Sequence, residues 1–267
     1  MMQKNKMKRS QLLPNFSEQI GFGNILFSLI AFLVLLFIFA CLESEPEDEQ
    51  EIKPALHNEI TFSGYKWFVK SSDSPVGPGP NYFSNSTENV WVDSSGQLHL
   101  RITNRNNKWY CAEVGTKESF GYGKYIFTLA SKVDNLNENI VLGLFTWSND
   151  PAYHYREIDI EFGRWEDPAN DNAQFVVQPW DTPGNLYRFN VNNFGNPKST
   201  SSFNWQSDYI AFQCVYGEYY SSFSYTGKDI PVPGDENVRI NLWLVWGHPP
   251  SDSAEVEIVV EKFEFVP

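Results

Sequence analysis

From about Thr61 onward the chain alternates hydrophobic and polar residues in short runs separated by turn signals. The run Val90-Trp91-Val92 passes through Asp93-Ser94-Ser95-Gly96 into Leu98-His99-Leu100-Arg101-Ile102, the pattern of a hairpin. Tyr125, Phe127 and Leu129 alternate after Gly121-Tyr122-Gly123, and 141–147 is a continuous apolar run of the buried-strand type. Further strands are predicted at 174–178, 187–191, 209–215, 239–246 and 255–266. No helical period is sustained beyond the N-terminal segment. Many short, evenly spaced strands without internal repeats predict an all-β chain folded as a jelly-roll sandwich of two sheets. Bending such sheets turns one outer face into a concave groove.

The most informative of these runs is Glu157-Ile158-Asp159-Ile160-Glu161-Phe162. With a period of two it places Glu157, Asp159 and Glu161 on one face of a strand and Ile158, Ile160 and Phe162 on the other. Asp and Glu are poor strand formers and like charges on one face repel, so the acidic face costs stability that the apolar face must offset. Alternation alone does not make a site. The stretch Glu255-Val256-Glu257-Ile258-Val259-Val260-Glu261 alternates in the same way and reads as a half-solvated structural strand. Three carboxylates facing a cleft are nevertheless what glycosidic bond cleavage requires: one attacks or activates water, another protonates the leaving oxygen.

The N-terminus has a different character. Residues 1–24 carry Lys4, Lys6, Lys8 and Arg9, 25–41 are almost wholly apolar, and 42–57 are rich in acid. Basic before and acidic after an apolar run predicts a cytoplasmic start, an exported body and an extended acidic tether, with the sandwich domain over 58–267. Ile38-Phe39-Ala40-Cys41 resembles a bacterial lipoprotein cleavage box, which implies lipidation at Cys41. An uncleaved signal anchor is the alternative, since about 18 apolar residues just span a bilayer. Either way the expected partners are a membrane and a saccharide.

Composition narrows the functional classes. A formal net charge of −13 argues against nucleic acid, whose phosphates would be repelled. Aromatics make up 16% of the chain, more than a sandwich core requires, which suits a sugar-binding cleft. With Cys41 assigned to lipid, Cys111 and Cys214 remain, either as a disulfide or as two buried thiols. The four histidines are scattered, His154 reads as a loop or rim residue, and no His/Cys cluster has metal-ligand spacing.

In its wider context, Tyr155-Arg156 followed by the acidic run resembles the signature of glycoside hydrolase family 16, nearest the licheninase-type β-glucanases and the xyloglucan-modifying enzymes. Cys111-Ala112-Glu113, Phe120-Gly121-Tyr122-Gly123-Lys124-Tyr125, Phe203-Asn204-Trp205-Gln206 and Ile240-Asn241-Leu242-Trp243 are similar to family blocks in the same order. The resemblance implies a β-jelly roll with an open groove and endo-acting hydrolysis of β-glucan with retention. It implies Glu157 as nucleophile, Glu161 as general acid/base and Asp159 as the residue that tunes the pair. It also implies substrate contacts at Tyr155, Trp243, Asn241, Glu113 and Asn81, to which the facing pair Gln174 and Gln178 and the rim residue Trp180 are added. Positions four apart on a flat strand lie about 13 Å apart, whereas retaining carboxyls lie about 5–5.5 Å apart, so the strand is expected to curve. Gly115 stands where licheninases have Arg, Val176 and Gln178 where they have Asn and Tyr, and the cysteine that would pair with Cys111 is absent. These departures touch binding and stapling positions, not the acidic trio. Some family members hold a structural calcium, but no ligand cluster here assigns one, and no cofactor is expected. Two alternatives stand beside hydrolysis: transglycosylation by the same intermediate, and a non-catalytic carbohydrate-binding surface protein.

Overall fold

The computed structural model describes residues 55–192 and 195–267. The basic segment, the apolar run, Cys41 and most of the acidic tether lie outside the described residues. The chain begins with β1 (Glu59–Phe62), β2 (Tyr65–Val69), β3 (Tyr82–Phe83) and β4 (Val90–Val92). It continues through β5 (Leu98–Arg105), β6 (Lys108–Thr116), β7 (Gly123–Leu129), β8 (Ile140–Trp147), β9 (Ile158–Phe162) and β10 (Ala173–Val177). The last strands are β11 (Leu186–Phe189), β12 (Ser199–Trp205), β13 (Ile210–Tyr216), β14 (Tyr219–Tyr225), β15 (Asn237–Leu244) and β16 (Val256–Val266). Among the described residues, helix is confined to two three-residue 3-10 turns.

The strands pair in the order β11-β10-β9-β8-β15-β6-β5-β16-β7-β12-β13-β14, with β1, β2, β3 and β4 attached along the side. All neighbours are antiparallel except β3 and β6. The path folds over at the β5–β6 hairpin, so one layer runs from β6 to β11 and the other from β5 to β14. Aromatic contacts join the layers: Trp67 of β2 meets Phe263 of β16 edge-on at 5.5 Å, and Phe175 of β10 lies 5.1 Å from Phe212 of β13. At the far ends of the path, Tyr187 of β11 stacks on Phe223 of β14 at 5.3 Å. The sheet therefore curves almost into a barrel, and the jelly-roll sandwich expected from the strand pattern is the fold observed.

The period-two patterns explain which side faces the core. Ile158, Ile160 and Phe162 are fully buried between the layers, so Asp159 and Glu161 must point from the opposite face of β9. In β16 the alternation of exposed Glu257 with buried Ile258 and Val260 agrees with the half-solvated strand. A register shift between Val260 and Lys262 then places Phe263 inside, the effect of one extra residue in a strand. Strand β14 carries no such signal. Its sequence Tyr-Tyr-Ser-Ser-Phe-Ser-Tyr is largely polar and sits at one end of the pairing path. Cys111 and Cys214 are both buried free thiols, which decides between the two options left open for them. Burial pushes the Cys111 thiol up to about 12.

Candidate active site

The register of the β6–β11 layer aligns residues that are far apart in sequence. Glu113 pairs across with Asn241, Asn241 with Gly143, Gly143 with Glu161, Glu161 with Gln174, and Gln174 with Arg188. These six residues form one transverse row across six strands. The neighbouring row holds Gly115, Arg239, Phe145, Asp159, Val176 and Leu186. Facing cross-strand pairs place side chains about 4.5–5.5 Å apart, so the first row is a nearly continuous polar track and the second sets Arg239 and Asp159 on either side of Phe145.

Two cavities lie over these rows. One, of about 500 Å³, is lined by Glu157, Asp159, Glu161, Glu113, Arg239, Trp147 and other residues. The other, of about 420 Å³, is lined by Gln174, Gln178, Arg188 and several tryptophans. Glu161 and Trp243 belong to both, so they stand where the two arms of one groove meet. Gly143 forms part of the floor, and a Cβ there would come within 2.5 Å of Asn241 Oδ1.

The three carboxylates are mutually destabilised as anions. Burial, and then the field of Glu161, push Glu157 up to about 8. Burial and both glutamates hold Asp159 well above the usual carboxylate range. Glu161 is raised by burial, while a hydrogen bond from Gln174 Nε2 at 2.6 Å and the Arg188 cation draw it back down. A hydrogen bond between Asp159 and Glu157 lowers Glu157 and raises Asp159. Gln178 Nε2 donates to Asp159 Oδ2 at 3.2 Å. Such a trio titrates as a unit, and at neutral pH it retains protons that isolated carboxylic acids would release.

Glu157 precedes β9 and is placed by the turn before it. Tyr153, His154, Tyr155 and Arg156 all have left-handed backbones, with φ between 51° and 64°. Each such non-glycine residue costs about 1–2 kcal/mol. Tertiary bonds hold the turn: Ser148 N donates to Tyr155 O at 2.7 Å and Thr146 Oγ1 to Arg156 O at 2.8 Å. The buried Arg156 guanidinium donates to Val232 O at 3.0 Å and to Asp150 Oδ2 at 3.1 Å. Beyond the turn, Ile158 N donates to Thr146 Oγ1 and Gln178 N to Glu157 O, which fixes the backbone of Glu157 on both sides.

The residues expected to bind substrate divide into two groups. Trp243, Asn241, Gln174 and Gln178 line the groove with the carboxylates. Asn241 Oδ1 and Gln174 Oε1 are buried there without a protein donor, acceptors suited to sugar hydroxyls. Glu113 also lines it, but ion pairs to Lys70 Nζ at 2.8 Å and Arg239 Nη1 at 3.1 Å occupy its carboxylate. Tyr155 is displaced from the lining: its ring lies parallel to Trp147 at 4.7 Å, and Trp147 faces the cavity instead. Asn81 is buried, and its Nδ2 donates to Pro78 O and Leu244 O, so it clamps the 77–79 loop that borders both arms of the groove. His154 is exposed in the turn, and Trp180 is exposed at the rim of the second arm. Lys70, Trp147, Trp165, Arg188, Arg239 and Trp246 were not anticipated. Arg239 stands across from Gly115, so its guanidinium reaches Glu113 from the adjacent strand.

No protein-family model matches the chain. A β-glucanase of Paenibacillus polymyxa is 29% identical over 162 residues, covering 58% of this chain and 62% of that protein. The match thus spans less than two thirds of that relative's length. The β-glucanase of Bacillus licheniformis superposes with a TM-score of 0.58 at 20% identity, over 82% of this chain and 100% of its own. A β-1,3-glucanase of Mycobacterium marinum gives 0.60 at 14% identity, over 80% and 95%. A family 16 enzyme of Bacteroides ovatus, solved with a G4G4G3G product, gives 0.56 at 13% identity, over 75% and 94%. In sequence and in architecture, the chain resembles the β-glucanases of glycoside hydrolase family 16.

Proposed function

We propose that the chain is an endo-acting glycoside hydrolase that cleaves β-linked, glucan-type polysaccharide by double displacement with retention. The observation that carries this reading is the position of Glu157, Asp159 and Glu161, three carboxyls with raised proton affinity, in one arm of a groove whose second arm begins at Glu161. Glu161, shared by both arms, donates its proton to the glycosidic oxygen as the bond to the anomeric carbon breaks. The Glu157 carboxylate bonds to that carbon, and one half of the polymer leaves with the proton. Water then attacks the same carbon, gives a proton back to Glu161 and releases Glu157. The hydrogen bond with Asp159 counters part of the rise at Glu157 and so helps the anionic form that attacks. The two orphan amide oxygens and the Trp147 and Trp243 rings supply hydroxyl and ring-face contacts on either side.

The test uses wild type, Glu157→Ala and Glu161→Ala on a panel of β-glucans and on an activated aryl β-oligoglucoside. Each substitution is expected to lower kcat by at least roughly 10²–10⁴-fold. Added azide should yield the α-glycosyl azide with Glu157→Ala, because azide takes the place of the lost carboxylate. With Glu161→Ala it should yield the β-azide, because it intercepts the glycosyl-enzyme. Exchange of these outcomes would reverse the two roles. Binding by all three proteins with no turnover by any of them would replace the hydrolase with a carbohydrate-binding protein. Product sizing with an added acceptor saccharide separates hydrolysis from transfer.

Export and membrane attachment through residues 1–57 belong to the same proposal, supported by the basic, apolar and acidic order of that segment. Lipid at Cys41 is expected in the mature protein by mass spectrometry, and an intact Met1 would exclude it.

A further inference from the structure

The groove contains three cations, and they are not equivalent. Lys70 and Arg239, in the first arm, both ion-pair with Glu113. Arg188, in the second arm, makes no contact ion pair among the described residues, although its field reaches Glu161. Its guanidinium lies over the Trp165 ring, 4.7 Å from the centroid. A guanidinium resting over an aromatic ring retains N–H donors for a planar, two-pronged acceptor. Arg188 lies two strands from Glu161 in the same transverse row, roughly 10 Å along the groove at inter-strand spacing. Trp180 and Trp246, 62% and 66% exposed, rim the same arm. The chain as a whole carries a charge of −13, so an anionic ligand would be repelled from most of its surface. A half-buried cation that contacts no carboxylate and feels Glu161 only through its field, braced by one tryptophan and flanked by others, marks one place where such a ligand is favoured.

We propose that the arm of the groove beyond Glu161 recognises a sugar unit bearing an anionic substituent, a carboxylate or a sulfate ester, through Arg188. This assigns a substrate class to the groove and rests on the hydrolase reading above. The substituted sugar stacks against the arm's tryptophans, and its acid group accepts the paired N–H donors of Arg188.

The experiment compares a β-linked oligosaccharide containing a uronic acid with its carboxyl-reduced counterpart, and a sulfated one with its desulfated counterpart. The full chain is used, as wild type, Arg188→Gln and Arg188→Lys. For at least one pair, wild type is expected to prefer the anionic member by about tenfold or more in kcat/KM. Arg188→Gln should bring that ratio to about one, Arg188→Lys should retain part of it, and raised salt should erode it. The pair that shows the preference identifies carboxylate or sulfate as the group bound. Calorimetric binding of the same pairs to the Glu157→Gln variant provides a readout independent of turnover. Cleavage of neutral glucan with no preference for either anionic member would overturn the role of Arg188 and leave the hydrolase standing. Absence of cleavage with preserved anionic preference in binding would do the reverse. An Arg188→Gln variant whose only change is an equal shift of the pH profile on all substrates would reduce Arg188 to a modulator of Glu161 and overturn the proposal.

Discussion

Glu157 is raised from an ordinary 4.5 to about 8, which ties its chemistry to the stability of the whole domain. The folded chain binds more protons there than the unfolded chain between about pH 4.5 and 8, so this group's contribution to stability falls as pH rises through that window. Glu157→Gln removes the penalty. Its melting temperature is expected to exceed that of wild type above about pH 8, by about 2–4 °C per kcal/mol, and to converge with it near about pH 4. A difference that stays constant with pH would show that Glu157 is not held protonated by its surroundings. The acidic trio was legible because Asp159 and Glu161 sit on β9, and Glu157 enters it in extended backbone, with an unambiguous period of two. The partners of Glu113 were not. Lys70 and Arg239 lie 43 and 126 residues away, and only strand order brings both to one carboxylate. The displacement of Tyr155 was likewise hidden, since nothing in its neighbours predicts a ring lying flat on Trp147.

At the scale of elements, the turn from Tyr153 to Arg156 is the least legible part of the site. Left-handed backbone is usually announced by glycine or asparagine, and none of these four residues is either. Its cost is met by bonds from elsewhere, chiefly those of Arg156, for which Gly234 leaves room: a Cβ there would fall 2.5 Å from Arg156 Nε. Arg156 is thus a positioning residue for Glu157. Arg156→Leu is expected to lower kcat roughly 10- to 100-fold with a smaller change in KM, as the proposed nucleophile loses its placement while the groove remains. Destabilisation by about 1–3 kcal/mol in chemical denaturation should accompany it. An equal loss in both kinetic constants would assign Arg156 a general structural role instead. Strands with strong alternation, such as β7, β9 and β16, were found from their residues alone, whereas β14 was not. Its serines and exposed tyrosines take a strand geometry only because β13 offers a ladder.

For the molecule as a whole, the layers are held by aromatic pairs behind the groove rather than by any disulfide among the described residues. Phe212 is 2% exposed and lies between Phe175 of the groove-bearing layer and Phe223 of the other. Phe212→Ala is expected to cost about 3–5 kcal/mol in urea or thermal unfolding. At temperatures where the variant is still folded, kcat/KM should stay within about twofold of wild type. A large kinetic loss without a stability loss would mean that the curvature of the groove depends on this one ring. The sandwich class itself was readable from strand spacing, since spacing reports local geometry. The folding-over at the β5–β6 hairpin was not, because it depends on which edge each strand meets.

Glu161 and Trp243 belong to both arms of the groove, and under the hydrolase proposed above this governs how fragments depart. A polymer severed at that junction leaves its halves on different walls with no contact required between them. One fragment can diffuse away while the other stays docked, and the vacated wall then admits solvent to the bound end. Turnover would proceed by alternate unloading, and a long strand could be re-engaged without ever being fully released.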